Sequence, residues 1–426
     1  MQENIYINFF KILIYLIPVG LITGPFIPDL SVTLMALLFI ALSIKESLWK
    51  RYYENNVIKF LFILNIYLIL ISLFSGNILL SLKSSIFYFR FSIFSIAVWY
   101  LLDRVDESFK KNYAIYLFLI FIILSLDAIF QYSFGKNIIG LEMQQPDRVS
   151  SFFGDEMILG SYQVRLFFLL VGIFITFRIF NKNKIIFSIL FLLTFTSVFL
   201  SGERTSFGLL IVSILIFIFI NNFSVKFLIP IFASIALIFF IAFIDKEMRY
   251  RIFVEPLHQS NLASKELLDK YKLQAKEYVH EDEKIIIFSR QHTAHYYTAL
   301  KMFLDNPIIG VGPKMFRKKC SEKEYFSGRS SCSTHPHNVL LQILSETGII
   351  GFLLYSMIMI FLIKEMFKIY KNKHLNKDYI QLGCLILFFI NLFPLFPSGN
   401  IFNNWLSIIF YFPLGFYLYA LNLKKS

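Results

Sequence analysis

Runs of about 18 to 22 residues that carry one charge or none recur along the chain, and each is long enough as an α-helix to cross the roughly 30 Å of hydrocarbon in a bilayer. Lipid offers a backbone no water to bond with, so a helix that closes its own hydrogen bonds is the form such a run takes. Composition excludes the soluble alternative: 57% of the residues are apolar, only 16% are charged, and phenylalanine alone occurs 52 times, more apolar surface than a water-soluble fold hides. By length and polarity there are about twelve runs, at 5–23, 27–44, 57–75, 84–102, 113–134, 157–177, 185–201, 205–221, 226–244, 338–363, 379–397 and 401–422. The expected fold is therefore an all-α polytopic membrane protein. The segment from Asn8 to Ile22 runs into Gly24, Pro25 and Pro28 and then at once into another apolar run, so it reads as a first span and not as a cleavable signal.

Charge orients the spans. With the N-terminus inside, the cytoplasmic connections hold Lys45, Lys50, Arg51 and Lys59, then Arg104, Lys110 and Lys111, then Arg178, Lys182 and Lys184. Lys226, the cluster Lys364, Lys368, Lys371, Lys373 and Lys377, and finally Lys424 and Lys425 follow on the same side. The short connections opposite hold only Lys83, Lys136, Arg148 and Arg204, so the positive-inside rule puts both termini in the cytoplasm. The formal charge of +13 then reflects topology and attraction to anionic lipid, and no nucleic-acid partner is expected. The chain divides into spans one to nine over 1–244, a long outer connection over 245–337, and spans ten to twelve over 338–426. That connection has helical spacing from Asn261 to His280 and from Arg290 to Asp305, the second with Tyr297, Leu300 and Leu304 on one face. Asn306-Pro307 with Gly310 and Gly312 ends it, so a folded helical cap is expected and not a linker.

His337 stands at the seam between this cap and span ten, where a lipid-linked substrate presents its head group. Imidazole titrates nearest neutrality and suits proton removal from an attacking hydroxyl, although a lone histidine at a helix start is more often a cap or an interfacial residue. Asn338 beside it is a candidate helix cap. Three arginines share the outer face: Arg204 in the short turn Ser201-Gly202-Glu203-Arg204-Thr205, Arg290 at the start of the cap helix, and Arg148 before span six. A guanidinium is charged at any working pH and forks two hydrogen bonds onto phosphate oxygens; for one arginine alone, snorkelling to head groups or a surface ion pair is the commoner role. Arg90 and Arg165 fall inside or near the ends of spans, where a charge is a site candidate and helix pairing an equally good reading. Asp155 and Glu156 are read as favourable charge at the start of span six. Cys320 and Cys332 are able to pair if the cap faces an oxidising compartment.

Metal and nucleotide chemistry lack parts. The first outer loop, Gly24 to Asp29, has one carboxylate, His335-x-His337 supplies too few ligands for zinc, and no Walker-type loop occurs. Glu281-Asp282-Glu283 is read as a solvated turn, and the glycines at 310 and 312 as a structural turn.

His337-Asn338, nine residues, then Gly348-x-x-Gly351-Phe352 resembles the signature of the O-antigen ligase family, which shares a superfamily with O-antigen polymerases and some protein O-oligosaccharyltransferases. The resemblance extends to the twelve spans, the large loop between spans nine and ten, and Gly310-x-Gly312 within it. It implies a GT-C-like glycosyltransferase architecture and an inverting, metal-independent enzyme without a cofactor, working at the periplasmic face of a bacterial inner membrane. The implied donor is a glycan on undecaprenyl diphosphate, and the acceptor is lipid A core or a growing glycan. His337, Arg204 and Arg290 resemble the family's functional residues, and Arg148, Asn338 and Arg90 join them as candidate substrate contacts. The signature has the ligase form; a polymerase, a protein oligosaccharyltransferase and, in another class, a flippase for the same lipid-linked glycans are the alternatives.

Overall fold

The structure is a computed structural model describing residues 2–179, 184–221, 225–260, 262–271, 286–328, 330–371 and 378–423. Half of the helix expected over Asn261–His280, the run Glu281-Asp282-Glu283, and Lys182, Lys373, Lys377, Lys424 and Lys425 lie outside the described residues. The longer helices are α1 (Gln2–Thr23), α2 (Phe26–Lys45), α3 (Asn56–Ser72), α4 (Ile78–Ile86), α5 (Phe89–Arg104), α6 (Glu107–Phe134) and α7 (Leu159–Thr176). They continue with α8 (Lys184–Leu200), α9 (Arg204–Asn221), α10 (Val225–Ile244), α11 (Arg290–Asp305), α12 (Val339–Lys371), α13 (Tyr379–Asn391) and α14 (Asn404–Leu423). Among the described residues there is no strand, only the isolated bridges Lys136–Glu142 and Gln145–Arg148.

Among the described residues, eight helical stretches are long and apolar enough to cross a membrane, or nine if α10 is joined to the segment after its 111° bend. Asn56–Ser72, Ile185–Leu200 and Tyr379–Asn391 are shorter apolar helices. The chain is thus an all-helical, multi-pass membrane protein. Helix ends differ from the apolar runs for a physical reason. Asp106 accepts from the Phe109 amide at 3.0 Å and starts α6 six residues before the apolar stretch, and the lysine-rich end of α12 stays helical to Lys371, so hydropathy marks the lipid-facing part of each helix and not its length.

α7 lies at the centre, buried on nearly every side between α6, α8, α9, α13 and α14. Its closest neighbour is α13, because a side chain at Gly172 would strike the Tyr379 carbonyl and one at Gly383 the Phe168 carbonyl; small residues let the two backbones meet. Polar side chains fix the register. Gln163 of α7 donates to Ser125 of α6 at 3.0 Å and accepts from Ser197 of α8 at 2.7 Å. A second layer joins α1, α2, α5 and α14.

Two features carry the site. After α10 the chain bends at Asp245, whose carboxylate accepts from the Glu247 and Met248 amides and from Tyr132, and lays residues 246–259 across the end of the bundle. The rest of the connection has its own small core of Ala299, Met302, Val311, Met315, Phe316 and Tyr325, closed by a Cys320–Cys332 disulfide with a Cα–Cα distance of 5.0 Å.

Candidate functional site

The expected single helix of span ten is broken. Gly348, at φ 65° and ψ −166°, interrupts α12, and the Asn306–Pro313 loop fills the gap. The carbonyls of Ser345 and Glu346, which an unbroken helix would give to residues 349 and 350, accept instead from Val311 at 2.8 Å and Gly312 at 3.0 Å. The amides of Ile349 and Ile350 turn to the Pro307 and Ile308 carbonyls at 2.8 and 3.4 Å. Gly310 meets the backbone of 346–348 so closely that any side chain would clash. This exchange explains why glycines are needed at both 310 and 348, and it seats the connection on the first turns of α12.

Beneath the loop, fully buried Glu346 accepts from the Phe316 amide at 2.9 Å and from Gln342 at 3.0 Å. Gln342 also donates to Asn400 at 2.8 Å and accepts from the Ile401 amide at 3.2 Å. Sequence reading passed over both residues. Their signal was two polar side chains four apart in an otherwise apolar helix, the spacing that puts them on one face.

Asn338 caps α12, accepting from the Leu341 amide at 3.1 Å and donating to the Pro394 carbonyl at 2.8 Å. His337 precedes it with φ 56°, a left-handed conformation that its carbonyl bond from the Ser398 amide at 2.9 Å helps to hold. Its Nε2 lies 3.0 Å from Ser333 Oγ. Three more imidazoles surround it, with ring centroids at 4.1 Å for His335, 5.2 Å for His295 and 5.7 Å for His292. Carbonyl partners fix two tautomers: His335 donates from Nε2 to Ser398 O at 3.0 Å, and His295 from Nδ1 to Ser331 O at 3.1 Å. Burial, and then the neighbouring imidazoles His335, His295 and His292, push the His337 pKa down to about 3. Burial likewise takes His335 and His292 to about 4 and lowers His295. The four rings are therefore uncharged at neutral pH.

His292 and His295 are one helical turn apart on α11, on the buried face with Thr293, Tyr296, Ala299 and Met302. The apolar face used to recognise that helix points the other way, with Leu300 and Leu304 exposed. Arg290 opens α11, two residues before His292. Arg204, at the first position of α9, lies in electrostatic reach of the His292 ring, whose protonation it disfavours. Its guanidinium donates to Gln259 at 3.1 Å and sits 3.8 Å from Glu255. Both partners come from the segment laid down after the α10 bend, together with Arg251, which binds Glu255 at 2.8 Å and stands 3.6 Å from Asp147. Arg148 is bound to the Ser201 and Met157 carbonyls at 3.4 and 3.1 Å, and burial lowers its pKa. Arg204 thus lies near the ring of His292, which packs on His337, with Arg148 within its field, and Arg290 is two residues from His292 along α11.

Arg90 is elsewhere, forked onto Asp29 at 2.5 and 3.1 Å and onto Thr33 at 3.1 Å. Asp155 and Glu156 are exposed and precede α7; the carboxylate at its N-terminus is Glu203, which accepts from the Gly160 and Ser161 amides at 2.6 and 3.1 Å. Among the described residues no group of three or more His, Cys, Asp or Glu side chains is arranged to hold a metal ion.

Residues 189–356 match the family model described as O-antigen ligase, a stretch that contains Arg204, Arg290, His337, Asn338 and the Gly348 break. No curated protein matches the chain.

Proposed function

The chain belongs to the O-antigen ligase family, and from that premise we propose that it transfers a glycan from undecaprenyl diphosphate to an acceptor hydroxyl, with lipid A core as the acceptor. The observation that carries the reading is the neighbourhood of His337: a neutral imidazole at the head of α12, packed beside a helix that begins with Arg290 and whose His292 feels the charge of Arg204. The diphosphate rests on Arg204 and Arg290, with Arg148 behind them, and the acceptor hydroxyl faces His337. The hydroxyl oxygen attacks the anomeric carbon from the side opposite the diphosphate. As that bond forms, the bond from carbon to phosphate oxygen breaks, its electron pair leaves with the diphosphate, and the hydroxyl proton passes to the imidazole. Guanidinium charge stabilises the departing diphosphate, which is the dominant contribution, and proton removal adds about 10²- to 10⁴-fold. The connection over 245–337 acts as the cap that keeps water from the reacting carbon, on the periplasmic face of the inner membrane.

Purified protein incubated in detergent with lipid-linked glycan and candidate acceptors should release undecaprenyl diphosphate and extend one acceptor. His337→Ala should abolish release while inserting normally in the membrane. Normal transfer by that variant would refute the assignment of His337, and release with a second repeat unit or a protein as acceptor would replace ligation by polymerisation or protein glycosylation.

A further inference from the structure

Between Lys314 and Lys323 the connection carries five basic residues and one acidic one, Glu322, and two of the five are not ordinary surface charges. Lys318 and Lys323 are exposed, and Lys319 lies along Gly76 and over the Tyr325 ring. Lys314 and Arg317 are half-buried. Lys314 has φ 60°, a left-handed backbone that a residue other than glycine adopts at a cost. Burial, and after it the charge of Arg317, lower its pKa, so this ammonium is both desolvated and set beside a like charge. Arg317 Nε is buried with no hydrogen-bond partner among the described residues, and neither side chain has a carboxylate within ion-pair distance among them. The carboxylate that acts on both is Glu346, which is already held by the Phe316 amide and by Gln342. Arg90 also acts on Lys314, and it is itself matched by Asp29. Strain, desolvation and like charge at one position are costs that folding does not require, and they single out Lys314 and Arg317 as a place for an anion.

The fold puts that place beside the histidine cluster. Ser81 of α4 donates to the Pro313 carbonyl at 2.8 Å, and a side chain at Gly312 would strike Ser75, so the stretch rests on the turn between α3 and α4. From there Arg317 acts on the ring of His335, whose centroid is 4.1 Å from that of His337, whereas Arg204 acts on the ring of His292. Cations therefore approach the cluster at two different rings. The proposed function gives the diphosphate to the arginines on the His292 side. Displacement with inversion requires the attacking hydroxyl on the other face of the anomeric carbon, so the acceptor has to be oriented by a separate set of groups.

We propose that Lys314 and Arg317 form an anion site for the acceptor, in which a phosphate on a sugar of the acceptor glycan docks and brings the attacking hydroxyl to His337. The site deepens the proposed function and rests on it for the acceptor being a glycan. Two adjacent cations suit the double charge of a phosphate monoester better than the single charge of a carboxylate.

The test is binding to the purified full-length protein, read by fluorescence anisotropy. The probes are a labelled core oligosaccharide freed of lipid A and bearing sugar phosphates, and the same oligosaccharide after phosphatase treatment. Wild type should bind the phosphorylated form at least roughly tenfold more tightly, the worth of a charge-assisted contact. Arg317→Gln and Lys314→Gly should each remove most of that preference. Lys314→Gly also relieves the left-handed backbone, so its melting temperature should not fall, which separates a binding role from a structural one. Lys323→Gln, which deletes an exposed charge from the same stretch, should keep the preference. Equal binding of the two forms by wild type, or a preference retained in folded Lys314→Gly, would overturn the proposal. An equal loss in Lys323→Gln would replace the site by diffuse surface charge, and displacement of the oligosaccharide by dihexanoylphosphatidylglycerol at equal concentration would make it a lipid head-group site. The assay needs neither donor nor turnover, so failure here leaves the transfer assay standing. His337→Ala should keep the preference, so failure of the transfer chemistry leaves this result in place.

Discussion

His337 is held in a strained left-handed conformation among three other imidazoles, and that setting determines how the protein responds to pH. With its pKa near 3, the ring is unprotonated throughout the neutral range, and it is a weaker base there than a free imidazole. An ordinary histidine base of pKa 6.5 would lose roughly thirtyfold in kcat/KM on going to about pH 5, whereas this one should lose little on its own account. An acid limb centred near 6.5 in the transfer rate would contradict the buried cluster. The same shifts bear on stability with a definite sign. His292, His335 and His337 bind protons less readily folded than unfolded, so the stability they permit is complete above about pH 6.5 and is lost as pH falls toward the folded values of about 3 to 4. His337 was legible because it sits in a recognisable spacing; His292 and His295 were not, because the eye follows the apolar face of α11. Here Leu300 and Leu304 are exposed, and the face that turns inward sets Thr293, His295 and Thr298 beside Ala299 and Met302. A buried polar face is what a site in a membrane protein requires, and hydropathy alone reads it backwards.

The break in α12 is built from two strands of sequence that recognition treated separately. Hydropathy sees 338–363 as one run, since both pieces of the helix are apolar, and reads Gly310-x-Gly312 as a turn without a partner. In the fold the glycines at 310 and 348 lie against each other, and the residues that flank them exchange backbone hydrogen bonds. A methyl at Gly348 would strike the Ile308 carbonyl and force alanine into a backbone region reserved for glycine. Gly348→Ala should therefore cost at least about 1–3 kcal/mol and lower the melting temperature of the purified protein. Because the exchange also positions the first turns of α12, glycan transfer should fall with it, although no reacting group is altered. A variant that melts and transfers like the wild type would mean that the loop docks without the glycine pair. The connection's disulfide and the Glu346–Gln342 pair act on the same junction from its other sides.

The number of membrane crossings is where length in sequence and length in space part company. All twelve apolar runs coincide with helices, yet α13 has only 13 residues, about 20 Å, because residues 392–403 leave the helix to line the cavity beneath His337. Similarly α8, at 17 residues, is apolar but falls short of the length that marks eight other stretches among the described residues as spans. With α10 taken as a crossing, whether α8 also crosses decides the topology between Glu107 and Glu324, since the helices between them are α6 to α10 before the long connection. Five crossings put the two residues on opposite sides, and four put them on the same side. α8 packs along α6 and α10 and is tied to α7 through Ser197, which favours a full crossing. The basic residues Arg104, Lys110 and Lys111 flank Glu107 and draw it to the cytoplasm. A cysteine replacing exposed Glu324 should therefore react with a membrane-impermeant maleimide on intact spheroplasts, and one replacing exposed Glu107 should react only after permeabilisation. Labelling of both before permeabilisation would make α8 a half-crossing helix, and the reverse order would place the histidine cluster on the cytoplasmic side, out of reach of any acceptor outside it.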